Sequence, residues 1–570
     1  MHYSAVMFFG HKVKETKTMG HELTNNASVM SPENVDALVL YNSPASPCAR
    51  RVRISLLEKG LSFDTVEMNL ITMEQRSEEY LALNPNGYVP TLTHGEQVIY
   101  DSKVINEYLE EQFPDRPLMP KSDLEKAQVR AWIAAEEDFS KVFRPLLYQT
   151  LMGPIQHISR SLAEAETISQ AHTKDPKDLA WAKQVWQLNV LTKSDTFQHQ
   201  TYLLTWLDKL DKALENKGFL VGKYLSQADI SLFPRVEMMS YLGIHLDEHR
   251  YANLLDWLKR LSQRTAFQDS MSAQGKKLAS LAKSKLMEKT RKVLSIEQSQ
   301  RRYWDKTFLW GFGRLIRKLQ KVEQQLSPKQ VIRDLPLPKQ GRDIQFNYVL
   351  CGQKEQDKTA SLTLYGPSSA IETKKVLLVA RYLGVALTHE KLITDSPKNS
   401  LDQARLTDTN QVAIKVGNSL ITHASAICEY LCDFHASPCF WLTQNSLERA
   451  KVRMWLALEQ GTNKEFDALT PSLYSSFNKQ VLSKQDEAHY LNRIQQKCKT
   501  LNDALLKSRY LVGESITLAD LIWFVRLQDL KHYSPFSMSE HGALLTWYDA
   551  LTLILTDKVE HKDKQEPVSV

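Results

Sequence analysis

Apolar residues follow two different spacings along this chain, and the order of the two spacings predicts its elements. Between residues 37 and 112, the runs "ALVLYN", "FDTVEMN" and "VPTLTHGEQVIY" have the length and flanking turn residues of β-strands. The stretches "ARRVRISLLEKGL", "TMEQRSEEYLALNP" and "SKVINEYLEEQF" have the spacing of amphipathic helices. The pattern therefore predicts β-α-β-α-β-β-α, an α/β layer over a small sheet, followed by helical patterns alone to about Gln274.

A second copy of the same pattern begins near Ala360. The run "SLTLYGPSSAIETKKVLLVARYLGV" matches the first strand and helix, and "VAIKVGNSLITHASAICEYL" matches "VPTLTHGEQVIYDSKVINEYL". Helical patterns follow to about Thr556, and within them "YLVGESITLADLIWF" matches "FLVGKYLSQADISLF". Solenoid repeats are much shorter than this, so the sequence indicates a duplicated two-domain unit.

Composition excludes several classes of protein. Of the 570 residues, 42% are hydrophobic and 24% charged, which is typical of a soluble globular protein of more than one domain. No apolar run is long enough to span a membrane, and the N-terminus lacks the pattern of a signal peptide. Six cysteines without regular spacing favour reduced thiols and a cytoplasmic location over a disulfide-bonded secreted protein.

The net charge of +6 is unevenly distributed. Residues 276–342 contain 18 Lys and Arg but 5 Asp and Glu, so the basic character belongs to a connector between the two copies. Its run "DKTFLWGFGRLIRKLQKVEQQL" has the spacing of an amphipathic helix. Packing of this helix between the two units is the favoured interpretation, and weak contact with an anionic membrane surface is an alternative. Nucleic-acid binding is not expected.

The duplicated unit resembles the glutathione transferases. In the first copy the motifs "SPCARRVR", "NPNGYVPTL", "YDSKVINEYL" and "SQAD" occur in the order of that family. The resemblance covers most of the chain, in two copies. It implies a fold that is α/β plus all-α, in which each of two tandem units has a thioredoxin-like domain followed by a helical bundle. An enlarged loop at residues 163–200 is also similar to one in the ganglioside-induced differentiation-associated relatives.

The resemblance and the repeat together predict seven segments. They are a disordered leader (1–36), a thioredoxin-like N-terminal domain (37–118), a helical C-terminal domain (119–275), a basic and partly helical connector (276–359), a degenerate thioredoxin-like domain (360–442), a second helical domain (443–556) and a disordered tail (557–570).

The resemblance implies a catalytic hydroxyl at Ser46. Serine-type members of the family stabilise the thiolate of glutathione with a hydroxyl that precedes the Arg of an R-V-R-like run by five residues, and Ser46 has this position relative to Arg51. A serine here also suits a helix N-cap, and the two roles are compatible. Cys48 is expected to be a packed thiol, with a mixed-disulfide site as the alternative.

Further residues are expected to bind the two substrates. A cis peptide before Pro90 would leave the backbone of Val89 free to pair with the cysteinyl part of glutathione, Asp101 and Ser102 would hold its γ-glutamyl end, and Gln75 and Arg76 its glycyl carboxylate. For the electrophile, the first helical domain offers Trp132, Phe143, Arg144 and Tyr148, although aromatic residues at this spacing also suit a core.

The second copy keeps the signals of the fold and lacks those of the site. Ala370 stands where Ser46 is, Ala413 replaces the cis-proline, and His423 and Ala424 replace the Asp-Ser pair. The helix-capping pairs Ser226/Asp229 and Thr517/Asp520 are present in both copies. The second unit is therefore expected to be a pseudo-enzyme half that forms an intramolecular pseudo-dimer with the first. Cys428, Cys432, His435 and Cys439 lack the spacing of a zinc knuckle, and no metal is expected.

The resemblance implies a cytoplasmic detoxification enzyme that conjugates glutathione, its co-substrate, to a small electrophile through the first unit. Two alternatives stay open. One is a non-catalytic interaction protein that uses both transferase folds as docking surfaces; self-association of the chain is an alternative to the intramolecular pseudo-dimer. The other is a glutathione-dependent reductase or isomerase, which would require a functional cysteine.

Overall fold

A computed structural model describes most of the chain. The described residues are 37–326 apart from 45 and 71–72, then 362–390 apart from 369, followed by 412–435, 445–469, 483–531 and 536–560. These ranges leave out the predicted leader, residues 561–570 of the predicted tail, most of the second half of the connector, and Cys439. Residues 557–560, which were expected to belong to a disordered tail, are instead the end of a helix.

The first unit begins with a four-stranded sheet in the order β2-β1-β3-β4. The β1–β2 pair is parallel, and the β1–β3 and β3–β4 pairs are antiparallel. This mixed sheet with helices beside it is the predicted thioredoxin-like arrangement. Its elements are β1 (Leu38–Asn42), α1 (Pro47–Lys59), β2 (Asp64–Glu67), α2 (Glu78–Leu83), β3 (Thr91–His94), β4 (Gln97–Tyr100) and α3 (Ser102–Gln112).

Local chemistry explains where α1 begins and ends. Ser46 is its N-cap, and Gly60 ends it in the left-handed conformation at φ 69°, where its backbone N–H donates to the last carbonyl groups. A Cβ at Gly60 would also lie 2.7 Å from the guanidinium of Arg116. Both ends of the helix are therefore determined by the residues beside them.

Helices alone make up the rest of the first unit. They are α4 (Asp123–Leu147), α5 (Gly153–Ser159), α6 (Leu162–Gln170), α7 (Pro176–Gln187), α8 (Lys193–Ala213), α9 (Gln227–Glu237), α10 (Ala252–Ser262), α11 (Thr265–Asp269), α12 (Ala273–Ala282), α13 (Lys285–Leu294) and α14 (Tyr303–Leu326). The expectation of an enlarged loop at 163–200 is wrong. Those residues form α6, α7 and the start of α8, because Ser161, Asp175 and Thr192 each cap a new helix.

The second unit repeats the sheet in the order β6-β5-β7-β8, with the same parallel and antiparallel pairs. Its elements are β5 (Leu362–Tyr365), α15 (Ile371–Leu383), β6 (Thr388–Glu390), β7 (Ala413–Val416), β8 (Ser419–Thr422), α16 (Ala424–His435), α17 (Ser446–Gln460), α18 (Asn463–Leu469), α19 (Lys484–Leu505), α20 (Leu518–Lys531) and α21 (Gly542–Glu560).

Each helical half contains the same buried carboxylate. Asp229 accepts hydrogen bonds from the backbone N–H groups of Leu220 and Ser226, the Ser226 hydroxyl and Trp257 Nε1. The Asp520 carboxylate accepts from the matching groups of the second unit, which are Leu511, Thr517 and Trp547. The two carboxylates hold a helix start against the loop that precedes it, so the predicted capping pairs are structural in both units.

The two units pack against each other through two equivalent pairs of helices. α3 of the first unit lies on α17 of the second, and α4 of the first lies on α16 of the second. Ala450 of α17 belongs to the small core around β1 and α3, and Ala127 of α4 belongs to the core of the second unit. Ala127 and Ala450 occupy matching positions in the repeat, "EKAQVR" and "ERAKVR", so the contact has approximate two-fold symmetry.

The amphipathic helix of the connector is present as α14, but it packs chiefly on α5 of the first unit rather than between the units. A Cβ at Gly313 would lie 1.9 Å from the carbonyl oxygen of Ile158, so only glycine permits this approach. Among the described residues, no helix is both long enough and apolar enough to cross a membrane.

Candidate functional site

The register of the first sheet brings three predicted site segments to one of its ends. Tyr41 pairs with Thr91, and Thr91 pairs with Tyr100. The segments that contain Ser46, Pro90 and Asp101 adjoin these three paired residues. Residues more than fifty positions apart in sequence therefore meet at one end of the sheet, which the sequence motifs alone did not establish.

Ser46 caps α1 while keeping one hydrogen-bonding function available. Its Oγ accepts the backbone N–H of Ala49 at 3.2 Å, and the side chain is almost fully buried. The hydroxyl uses an acceptor lone pair in this bond, so its own hydrogen remains able to donate. The helix N-terminus adds a partial positive charge at the same place.

The other predicted glutathione contacts flank Ser46. The Val89–Pro90 peptide is cis, as expected. Asp101 has a positive φ of 72°, which is rare for a residue with a side chain, and its Oδ1 accepts the N–H of Lys103 at 2.9 Å. Ser102 is buried at the first position of α3. Asp101 and Ser102 thus form a helix start at the sheet edge where Ser46 lies.

Gln75 and Arg76 lie on a short 3₁₀ turn before α2. The Gln75 Oε1 atom is buried and has no hydrogen-bond partner among the described residues. Arg76 Nη1 donates to the carbonyl oxygen of Asn86 at 3.3 Å, and its Nε lies 3.8 Å from Asp178 Oδ2. Arg76 is therefore partly neutralised by a residue of α7, a contact that the sequence did not suggest.

Cys48 contacts a charged side chain, which the sequence did not suggest. Arg235 Nη2 donates to its Sγ at 3.2 Å, and the thiol is only partly buried. Burial alone would raise the pKa of Cys48, but the positive charges of Arg235 and Arg51 lower it below its ordinary value. The sequence could not reveal this contact, because Arg235 is 187 residues away.

A buried ion cluster holds these two arginines. Glu136 of α4 lies between Arg51 Nη2, at 2.6 Å, and Arg235, and all three side chains are nearly inaccessible to solvent. The second unit has a matching cluster in which Glu459 lies between Lys375 and Arg526. The carboxylate in each cluster compensates two buried cations, which fixes α1 against the helical half.

The predicted wall for the electrophile divides into two groups. Phe143 is fully buried and stacks on Phe139, and Trp132 lies edge-on to Trp206 in the helical core. The structure therefore places Phe143 in the core rather than in the pocket, because helical spacing turns position 143 inward with 139 and 146. Trp132 is half-buried and packs against the same core.

Arg144 and Tyr148 instead face outward, as part of an aromatic cluster. The Arg144 guanidinium lies 5.7 Å from the ring centroids of Tyr148 and Trp181, and 6.0 Å from that of Tyr88. Tyr88 directly precedes Val89, so this cluster adjoins the glutathione segment. Sequence reasoning missed Tyr88 and Trp181, and the exposed tyrosine within the "NPNGYVP" motif was the available signal for the first.

Comparison with known proteins gives the family. Family models for the N-terminal domain of glutathione S-transferase and for its C-terminal domain match residues 40–117 and 191–265, and a second C-terminal model matches 466–558. "Glutathione S-transferase 1" of Dianthus caryophyllus is 34% identical over 220 residues, which are 38% of this chain and 84% of the relative. This chain belongs to the glutathione S-transferase family. Relatives of Arabidopsis thaliana and Pleuronectes platessa are likewise named glutathione S-transferases, which assigns the chain to this class of enzyme.

Other members of the glutathione S-transferase family are also similar to parts of the chain. A zeta-class glutathione S-transferase of Euphorbia esula is 38% identical over 160 residues, 26% of this chain and 69% of the relative. Among solved structures, a glutathione transferase homologue of Drosophila mojavensis with bound glutathione is 25% identical to this chain, with a TM-score of 0.32. The match covers 44% of this chain and 98% of the homologue. A beta-etherase of Sphingobium has 24% identity and a TM-score of 0.38, and covers 41% and 98%.

The second transferase unit has the same backbone at the corresponding sheet edge but different side chains. Ala370 caps α15 without a side-chain hydrogen bond. The expectation that Ala413 replaces the cis-proline is wrong by one residue: Tyr365 pairs with Ala413 as Tyr41 pairs with Thr91, so Val412 stands at the position of the proline. His423 keeps the positive φ, 70°, of its counterpart Asp101. Its Nε2 lies 3.5 Å from Asp138 Oδ2 of the first unit.

The cysteines of the second unit that the structure describes lie in its core. Cys428 and Cys432 on α16 are almost fully buried, and burial raises the pKa of both thiols. Within the ranges that the structure describes, no group of three or more His, Cys, Asp or Glu side chains is arranged to hold a metal ion. The packing of these thiols against aliphatic neighbours accounts for their presence.

Proposed function

We propose that the first unit conjugates glutathione to a small electrophilic substrate and that Ser46 stabilises the glutathione thiolate. The observation that supports this most is the convergence of Ser46, Val89–Pro90 and Asp101–Ser102 at one edge of a single sheet. Each segment alone could have a purely structural role as a helix cap or a turn. Their convergence is explained by one ligand that touches all three.

The proposed chemistry is nucleophilic substitution or addition. The N-terminus of α1 and the Ser46 hydroxyl lower the pKa of the glutathione thiol, so that a thiolate is present near neutral pH. The sulfur lone pair forms a bond to an electrophilic carbon. A leaving group departs with its electron pair, or an addition product takes a proton from water.

The remainder of glutathione is proposed to bind along the sheet edge. The Val89 backbone pairs with the cysteinyl residue, and Asp101 and Ser102 bind the ammonium and carboxylate of the γ-glutamyl end. Arg76 binds the glycyl carboxylate. The Gln75 Oε1 atom supports this proposal, since a buried acceptor without a protein partner suits a ligand N–H donor.

We propose that Arg144, Tyr148, Tyr88 and Trp181 form the wall that contacts the electrophile. Their flat rings and the guanidinium suit a planar apolar substrate. Trp181 belongs to α7, within residues 163–200, so this part of the sequence would influence which electrophiles are accepted.

The second unit is proposed to be a pseudo-enzyme half in an intramolecular pseudo-dimer. Ala370, Val412 and Ala424 stand where the first unit has its hydroxyl, its cis-proline and its anion-binding serine, and they offer none of these. The packing of α3 on α17 and of α4 on α16 supports the pseudo-dimer, because both units contribute equivalent helices to the contact. Covalent linkage gives such a contact a high effective concentration.

Calorimetric titration with glutathione tests the conjugation proposal, alongside turnover of a generic aryl halide. The wild type is expected to bind saturably and turn over, and Ser46→Ala to keep binding while losing at least about a hundredfold in kcat, within the range for removal of a stabilising donor. Ser161→Ala is the matched control, because Ser161 Oγ accepts the N–H of Glu164 at the same 3.2 Å but caps α6. No saturable binding by the wild type would favour the non-catalytic interaction protein.

A second candidate function is glutathione-dependent thiol–disulfide exchange at Cys48, which the Arg235–Cys48 contact favours. In that reaction the Cys48 thiolate attacks the glutathionyl sulfur of a mixed disulfide between glutathione and a substrate thiol, forms a Cys48–glutathione disulfide and releases the substrate thiolate. A glutathione thiolate then attacks this disulfide, so that the Cys48 thiolate is released and oxidised glutathione departs. Loss of thiol-transfer activity in Cys48→Ala with unchanged conjugation would assign Cys48 to this reaction. Loss of conjugation in Cys48→Ala, with Ser46→Ala unaffected, would move the main chemistry to the cysteine.

A further inference from the structure

Helix α14 exposes large aromatic side chains on the face that points away from the protein. Tyr303, Trp304 and Trp310 are 73%, 77% and 64% exposed, and Leu315 is 47% exposed. The opposite face packs on α5 through Phe312 and Ile316, which are almost fully buried. Because the inner face already provides the packing, the outer aromatics contribute nothing to the core that the described residues form.

The same outer face is basic. Lys306, Arg314 and Lys318 are exposed between and beyond the aromatic residues, and the guanidinium of Arg314 lies 4.8 Å from the centroid of the Trp310 ring. The one acidic residue between positions 303 and 318 is Asp305, which is buried on the inner side of the helix. We call Tyr303, Trp304, Lys306, Trp310, Arg314, Leu315 and Lys318 the outer face of α14.

We propose that the outer face of α14 docks on the anionic surface of a lipid bilayer. Tryptophan and tyrosine prefer the headgroup level, where the ring is half-buried and its polar edge is hydrated. Lysine and arginine beside them are attracted to anionic headgroups. The outer face combines both groups on one rigid helix, held by the close approach of Gly313 to Ile158.

Charge argues against two other occupants. Residues 327–361, which follow α14, contain six Lys and Arg and four Asp and Glu, so this segment does not complement a basic face. A second copy of the outer face would oppose cations with cations. Leu315 and the two tryptophans provide apolar surface that a phosphodiester backbone does not use, so a bilayer suits the outer face better than a nucleic acid.

Vesicle cosedimentation with the full-length chain tests the proposal. The wild type is expected to bind vesicles of phosphatidylcholine with phosphatidylserine, to bind vesicles of phosphatidylcholine alone much less, and to be released by salt. Replacing both Lys306 and Arg314 by Ala should lower the partition coefficient roughly thirtyfold, since each cation near the surface accounts for about a fivefold effect. Trp304→Ser combined with Trp310→Ser should lower it as well.

Lys193→Ala combined with Phe197→Ala is the matched control. These residues are an exposed cation and an exposed aromatic residue, 71% for Phe197, one turn apart on α8. The control should bind the anionic vesicles as the wild type does, and circular dichroism and transferase turnover should show that all variants fold.

Three outcomes would overturn the proposal. They are absence of wild-type binding to the anionic vesicles, equal binding by the α14 variants, and equal loss in the α8 control. Binding of an oligonucleotide that the α14 substitutions abolish, without vesicle binding, would assign the face to nucleic acid. Self-association that the same substitutions abolish would assign it to a second copy of the chain.

Discussion

Arg130 Nη1 on α4 donates to Asp433 Oδ2 on α16 at 2.6 Å and so joins the two units. The matching residues make the reverse contact, in which Arg453 Nη1 on α17 donates to Glu111 on α3 at 2.8 Å. Glu107 and Glu429, which occupy the same position in the repeat, lie close to both arginines. Six charged groups therefore connect the units with approximate two-fold symmetry, and most of them are nearly buried.

Removal of one of these arginines should destabilise the chain strongly. Arg453→Ala leaves Glu107, Glu111 and Glu429 with half of their compensating charge, and breaking a buried ion pair costs about 3–5 kcal/mol. Urea unfolding, followed by circular dichroism, measures the change. Arg250→Ala removes a cation that pairs with Asp208 on the exposed surface and should leave the free energy of unfolding nearly unchanged. Similar costs for the two variants would contradict a structural role for the buried network.

The contact between Asp138 and His423 should make stability depend on pH. Burial would raise the pKa of Asp138, but hydrogen bonds from His423 and Lys141 lower it to about 2. An unfolded Asp has a pKa of about 3.9, so this contribution is present above that value and is lost as the pH falls towards 2. Asp138→Asn should therefore lower the free energy of unfolding at pH 7. The difference in this free energy between the variant and the wild type should become smaller as the pH falls. A difference that does not change between neutral and acidic pH would contradict this origin.

The four described thiols should differ in reactivity. Arg235 and Arg51 lower the pKa of Cys48, whereas burial raises the pKa of Cys428, Cys432 and Cys498. Because the thiolate is the nucleophile, iodoacetamide at pH 7 should label Cys48 first, as peptide mass spectrometry would measure.

The substitution Arg235→Met tests whether Arg235 is what lowers the pKa of Cys48. It removes the nearest positive charge and should slow the labelling of Cys48 severalfold. Labelling of Cys498 serves as the internal control, because burial rather than Arg235 determines its pKa. Faster labelling of Cys48 in this variant would show that Arg235 shields the thiol rather than activating it.

Two neighbouring glycines of α14 should respond in opposite directions to the same substitution. Gly313→Ala places a Cβ 1.9 Å from a backbone oxygen of Ile158, so α14 must move away from α5, at a cost of about 1–3 kcal/mol. Gly311→Ala meets open space and should stabilise the helix by up to about 1 kcal/mol. Urea unfolding compares the two. Equal effects would contradict the close packing of α14 on α5.

Local patterns predicted the elements well, because strands, helices and caps depend on neighbouring residues. Ser46 at the start of α1 and the positions of Asp229 and Asp520 in their capping boxes could be recognised from a few adjacent residues. The prediction of a loop at 163–200 was wrong: the apolar periodicity of this segment is weak, but Ser161, Asp175 and Thr192 each cap a helix.

The sequence by itself determined that the chain contains one two-domain unit twice and that the second copy lacks the site residues, since both conclusions follow from comparing residues position by position. Tertiary structure decided which residues meet. Cys48 acquires Arg235 as a neighbour, Arg144 acquires Trp181, and Phe143 turns into the core. It also decided that α14 presents two tryptophans to the outside. Such contacts depend on how helices that are distant in sequence pack, and a pattern of adjacent residues carries no information about which distant residue each side chain will contact.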